Sequence, residues 1–197
     1  KVPGLQDVPE DEFVTTTLSR RAVSFIESSK DQPWFLYLTM FAVHTPIQAK
    51  KDLLDKYESK TPGRLHHNAK MATMIQAVDD GVGRIVTKLE ELGLTNQTAI
   101  VFFSDNGGYG PATDMAPLKG YKGAYYEGGI REPFFVKWPG VVEAGTINET
   151  HIIGVDLYPT FLEMTGATAK DGQVQDGLNL VPLFKGGTFS ERSLFWH

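Results

Sequence analysis

The sequence predicts an α/β fold, a sheet with helical layers on both sides. Three observations predict it. Residues 34–43, WFLYLTMFAV, form a nearly continuous apolar and aromatic run, the pattern of a strand buried on both faces. Residues 98–104, TAIVFFS, are β-branched and aromatic and read as a second central strand. Between them lies a long helical stripe, so the order is strand, helix, strand with a long crossover, which is how parallel strands are joined.

Taken in order, residues 11–29 carry Val14, Leu18, Ala22, Phe25 and Ile26 on one helical stripe with acidic residues at the start, an amphipathic helix. Asp31-Gln32-Pro33 breaks it before the first strand. His44, Thr45 and Pro46 follow that strand, then a polar loop to about His67 with a short helix near residues 52–57. From Asn68, the positions Met71, Met74, Ile75, Val78, Val82, Ile85, Val86, Leu89 and Leu92 keep helical spacing, and Gly93 stands where a helix-terminating glycine belongs. After the second strand the chain turns glycine-rich and basic, PLKGYKGAYYEGGIREP, before a third strand at residues 134–138 and a Pro139-Gly140 turn. His151 precedes a strand-like IIGV, and a last helix is expected over residues 156–165 with Asp156 as N-cap and Gly166 as stop. The tail reads as irregular. No internal repeat and no linker divides the chain.

Composition narrows the function. With 41% hydrophobic and 22% charged residues over 197 positions, this is a globular composition. A net charge of -5 gives no overall basic field for a phosphate backbone, so nucleic acid is not an expected partner. No apolar run approaches the roughly 20 residues of a spanning helix. Cysteine is absent, which excludes disulfides, thiolate metal sites and a Cys nucleophile within these residues. Lys1 is not an initiator Met and the chain stops abruptly at SLFWH, so an excised piece of a longer protein is expected. No G-x-S-x-G elbow, Walker loop or G-x-G-x-x-G follows a strand.

In parallel sheets, ligands bind at the carboxyl ends of strands, and two groups of polar residues lie there. Asp105 and Asn106, in FFSDNGG, are hard oxygen donors of the type calcium or magnesium takes, though two ligands do not complete a site. The same dipeptide before Gly107 is also ordinary turn chemistry. His44 follows the first strand and is placed to donate to an oxyanion or protonate a leaving group, or to serve as a satisfied core residue. Lys119 and Lys122 stand among Gly120, Gly123, Gly128 and Gly129. An ammonium there can stabilise charge on a tetrahedral anion, and a solvated loop is the structural alternative. Glu127 and Arg131 are spaced for an ion pair bracing that loop. His66, His67 and His197 have no assigned role.

The ordered series HTP, DDGVGRI, FFSDNGG, KGYKGAYYEGGIREPFFVKWPG and VDLYPTFLEMTGA resembles the C-terminal portion of a type I sulfatase catalytic domain, over residues 13 to 196. The resemblance implies an alkaline-phosphatase-like three-layer sandwich with a mostly parallel central sheet, present here as an incomplete domain. It implies hydrolysis of sulfate esters with a divalent cation, calcium before magnesium, and a formylglycine made from Cys or Ser. By the same resemblance Asp105 and Asn106 are two of four protein ligands of the cation. Lys122 contacts the sulfate and leaving-group oxygen, His44 does so from the other side, and Lys119 is a neighbour.

The C/S-x-P-x-R motif of the nucleophile is absent. KTPGR, residues 60–64, imitates its tail, but Lys60 offers neither thiol nor hydroxyl. The piece alone is therefore expected not to hydrolyse sulfate esters, and sheet edges left without neighbours would favour self-association. Expected substrates are small-molecule or carbohydrate sulfate esters, with aryl sulfate, sulfated sugar and glycosaminoglycan all open. A phosphomonoester, phosphodiester or phosphonate hydrolase of the same superfamily, and a non-catalytic anion-binding relative, are the alternatives. The resemblance implies a secreted, periplasmic or lysosomal location, and sequons at Asn96 and Asn148 would permit glycosylation.

Overall fold

The computed structural model describes residues 4–6, 8–9 and 12–196. The chain forms two compact units, Lys1–Thr95 with Asn106–Arg131, and Asn96–Asp105 with Glu132–His197. The first contains helices α1 (Val14–Ser29), α2 (Lys51–Glu58) and α3 (Ala69–Glu91), and the one-turn α4 (Glu127–Ile130). The second contains strands β1 (Ile100–Phe103) and β2 (Phe134–Lys137), and helices α5 (Leu157–Thr165) and α6 (Val181–Phe184). No helix among the described residues is long and apolar enough to cross a membrane.

Helix α3 is capped at both ends, at the expected Gly93 and at Asn68, which the sequence did not single out as a cap. The Asn68 side chain accepts from the Met71 N–H at 3.1 Å, relieving one orphan donor of the first turn. At the other end Gly93 takes φ 68°, with Gly93 N–H bonded to Glu90 O and Leu94 N–H to Leu89 O. This pair of bonds is a Schellman ending, which the left-handed glycine permits.

Helix α1 packs on α3 through a rotated face. Of the predicted stripe, Ala22 and Ile26 are buried, whereas Phe25 is partly exposed and meets Trp34 edge-on at 6.1 Å. Thr15, Ser19 and Ser29 complete the buried face. The cause is close helix approach. A Cβ at Gly81 of α3 would lie 3.2 Å from Ser19 Cβ, and the Arg84 guanidinium donates to Ser19 Oγ, so small hydroxyl residues take the contact. The expected start at Asp11 lies outside the described residues; the helix begins at Val14.

Residues 34–43 do not form the predicted doubly buried strand. They belong to no sheet, and burial alternates from Trp34 to Phe41, the period of an extended chain with one face covered. Phe35, Tyr37 and Phe41 are 55%, 78% and 60% exposed. Continuous hydrophobicity describes what a segment can bury, while a strand exists only through its ladder.

β1 lies within the predicted second strand, but its partner is β2, antiparallel, with Ile100 opposite Lys137 and Phe103 opposite Phe134. The expected parallel pairing with residues 34–43 is not formed among the described residues. Cross-strand aromatics Phe102–Phe135 and Phe103–Phe134 stand 6.1 Å apart, and α6 covers the sheet with Phe184 against Phe134 and Trp138. α6 occupies part of the tail expected to be irregular. The residues after His151 form a single tight turn at Gly154–Asp156 rather than a strand.

Asp156 occupies the expected N-cap position of α5, but its side chain makes no capping bond to that helix. Its carboxylate is fully buried and accepts from the Ile153 and Leu178 N–H groups at 2.9 and 2.8 Å and from both terminal nitrogens of Arg192. Burial pushes its pKa up, but the Arg192 hydrogen bonds and the two backbone donors more than offset that and hold it below the usual carboxylate range. α5 does end at Gly166 with φ 68°.

Candidate active site

The loop after β1 is built on glycine. Gly107 N–H bonds to Gly129 O at 2.9 Å, Gly128 N–H to Lys119 O at 2.8 Å, and Lys122 N–H to Gly108 O at 2.9 Å. A Cβ at Gly107 would sit 1.9 Å from Gly128 O, and one at Gly128 would sit 2.2 Å from Gly120 O. Only hydrogen fits at those points, so the glycines of the sequence are the condition for the segment to fold back on itself. The exposed ion pair Glu127–Arg131, at 3.8 Å, is present as expected.

This scaffold brings Lys122 to the turn that begins at Asn106. Lys122 is half-buried and anchored by its own backbone. Asn106 is half-buried and its Nδ2 donates to Gly107 O at 3.2 Å. Lys119 is exposed, with Nζ 3.8 Å from the centroid of the Tyr126 ring, a cation–π contact that fixes its ammonium on the loop itself.

Asp105, exposed, closes the segment that follows β1. Beside it is a residue that the sequence did not single out. Glu132 is held at a pKa of about 7: burial raises it most, the Ser104 hydroxyl donates to it and lowers it, and the Asp105 charge raises it again. Its Oε1 is buried without a hydrogen-bond partner among the described residues. Glu132 was hidden in the sequence because it follows Arg131 and precedes Pro133 at a strand edge, where a surface carboxylate is the ordinary expectation.

His44 is exposed, and its hydrogen bonds are local. Nδ1 donates to Thr45 O at 2.8 Å, which leaves Nε2 of the neutral ring as the outward acceptor. Another histidine does reach the glycine loop: His66 Nδ1 lies 3.3 Å from Thr113 Oγ1.

The donor set from this chain suits a hard cation, since Asp105 and Asn106 both offer oxygen, and it is partial. No group of three or more His, Cys, Asp or Glu able to hold a metal occurs among the described residues.

The sulfatase family model matches residues 6–167. The chain belongs to the sulfatase family. A sulfatase of Formosa agariphila is 34% identical over 201 residues, covering 93% of this chain and 36% of its own length. N-acetylgalactosamine-6-sulfatase of Mus musculus is 31% identical, covering 93% of this chain and 35% of its own length. Among solved structures, Ps i-CgsB in complex with k-i-k-neocarrahexaose superposes with a TM-score of 0.79 at 39% identity, over 88% of this chain and 38% of that one. This chain thus spans about a third of the length of these sulfatases, and it carries the alkaline-phosphatase-like α/β fold as a partial domain.

Proposed function

We propose that this chain supplies part of the active site of a sulfatase that hydrolyses carbohydrate sulfate esters. The observation that carries the proposal is the glycine-built loop, which holds Lys122 and the turn at Asn106 in one hydrogen-bonded scaffold. Asp105 and Asn106 would hold a divalent cation through their side-chain oxygens, calcium or magnesium by donor type and calcium by the sulfatase resemblance. When bound, that cation supplies positive charge against the sulfuryl oxygens.

The chain's own residues have distinct roles. Lys122 orients the sulfate and offsets the charge that grows on the leaving-group oxygen, and its backbone anchor spares it reorganisation during reaction. His44, with its Nδ1 proton committed to Thr45 O, takes up a proton from water at Nε2 and gives that proton to the departing sugar oxygen. Lys119 lends its charge from the rim of the loop. The formylglycine precursor, a Cys or Ser in C/S-x-P-x-R, has no counterpart in these 197 residues, and we place it elsewhere in the polypeptide. By this proposal the 197-residue chain alone turns over no aryl sulfate.

The carbohydrate assignment draws on the relatives: one is named for N-acetylgalactosamine 6-sulfate and another was solved with a neocarrahexaose. The test is to give the longer polypeptide carrying this chain a sulfated oligosaccharide and a matching sugar phosphate, with calcium present, and to quantify both anions. Release of inorganic sulfate is expected. Release of phosphate alone would replace the sulfatase proposal with a phosphohydrolase.

A further inference from the structure

The overall charge of -5 conceals a basic segment that follows His44 in the chain. Residues 44–70 hold six Lys and Arg against three Asp and Glu, while the rest of the chain holds 13 against 21. In so acidic a chain, carboxylate partners are plentiful. Yet Lys51, Lys56, Lys60, Arg64 and Lys70 form no salt bridge among the described residues, and all five are exposed.

Their placement is organised. The ammonium groups of Lys56 and Lys60 stand 5.3 and 5.2 Å from the centroid of the one Tyr57 ring. That ring is fixed by its hydroxyl, which donates to Gln76 Oε1 of α3 at 2.7 Å. Arg64 lies in a tight turn closed by Gly63 N–H to His66 O at 3.0 Å. The turn is tied through His66 to Thr113, on the same glycine loop that carries Lys122. The basic segment therefore runs from His44 to the loop of Lys122 within one compact unit.

We propose that this segment is a binding rim for a polyanionic, multiply sulfated glycan, engaging sulfate groups on sugar residues next to the one being hydrolysed. The identification of the neighbouring site as a sulfatase site underlies the choice of ligand. Charge complementarity supports it: ammonium groups gathered about one anchored ring, one of them also donating to Gln76 Oε1, suit repeated anionic groups, whereas a singly sulfated aryl ester offers them no second sulfate.

The test measures binding rather than turnover, so it is separable from the hydrolase assignment. The 197-residue chain is titrated with a carrageenan oligosaccharide and with the same oligosaccharide after desulfation. Wild type should bind the sulfated form, with affinity falling as salt rises. Lys60→Gln with Arg64→Gln should weaken binding by about tenfold, whereas Lys170→Gln with Lys185→Gln, which makes the same charge change elsewhere, should leave it intact. Circular dichroism of both variants controls for folding, and Tyr57→Phe, which frees the ring from Gln76, should weaken binding without removing charge. Equal binding of the desulfated glycan, or equal loss in both double variants, would overturn the proposal. Tighter binding of a single-stranded oligonucleotide at the same salt would also overturn it, by making the surface a nucleic-acid site. Intact binding in a polypeptide that releases no sulfate would contradict the hydrolase assignment alone.

Discussion

Asp156 and Arg192 show how much of the second unit depends on one pair of residues. The carboxylate is completely buried and takes two backbone N–H groups as well as the guanidinium, so removing the arginine strands a charge in the interior. Arg192→Ala should cost about 3–5 kcal/mol, read as a lower denaturation midpoint, and Arg192→Lys should restore only part because it cannot form the two-pronged contact. The pH dependence follows from the depressed pKa. The stabilisation is fully present above the unfolded carboxyl value of about 3.9 and is lost as pH falls through the folded value. An acid titration of wild type against Asp156→Asn should therefore converge at low pH. At the glycine loop, Gly128→Ala would put a methyl 2.2 Å from Gly120 O. It should destabilise by about 1–3 kcal/mol or more, and weaken whatever anion Lys122 holds.

Among elements, the helices were the most legible in the sequence. Helix α3 could be read at both ends because Asn68 and Gly93 act within their own turns, so local sequence suffices. The orientation of α1 could not be read, because its buried face is set by how closely α3 approaches at Gly81 and Ser19, a tertiary fact. Gly81→Leu should separate these helices and cost about 1–3 kcal/mol, measured by thermal melting of the helical signal. The sheet was legible as hydrophobic runs but not as pairings: residues 98–104 and 134–138 contain β1 and β2, whereas residues 34–43 remain extended outside any ladder. Asp156 illustrates the same limit, since an Asp before a helix suggests a capping side chain until Arg192, 36 residues on, claims it. Of the candidate site, the loop of Lys122 and Asn106 was visible because its glycines are dictated by backbone contact. Glu132 was not, since its burial depends on packing.

For the molecule as a whole, the two units leave aromatic surface uncovered: Tyr37 at 78% and Phe41 at 60% in the first, Phe135 at 64% in the second. Exposed rings of this size favour association, so sedimentation of the 197-residue chain should show mass rising with concentration. The central claim concerns chemistry, that Lys122 on its glycine scaffold acts on the sulfate of a carbohydrate ester. The measurement that tests it most directly is inorganic sulfate release from a sulfated oligosaccharide by the longer polypeptide, wild type beside Lys122→Ala and the surface control Lys137→Ala. A loss of about 10²–10³ in kcat for Lys122→Ala alone is the expected result. Undiminished sulfate release by Lys122→Ala would contradict the claim.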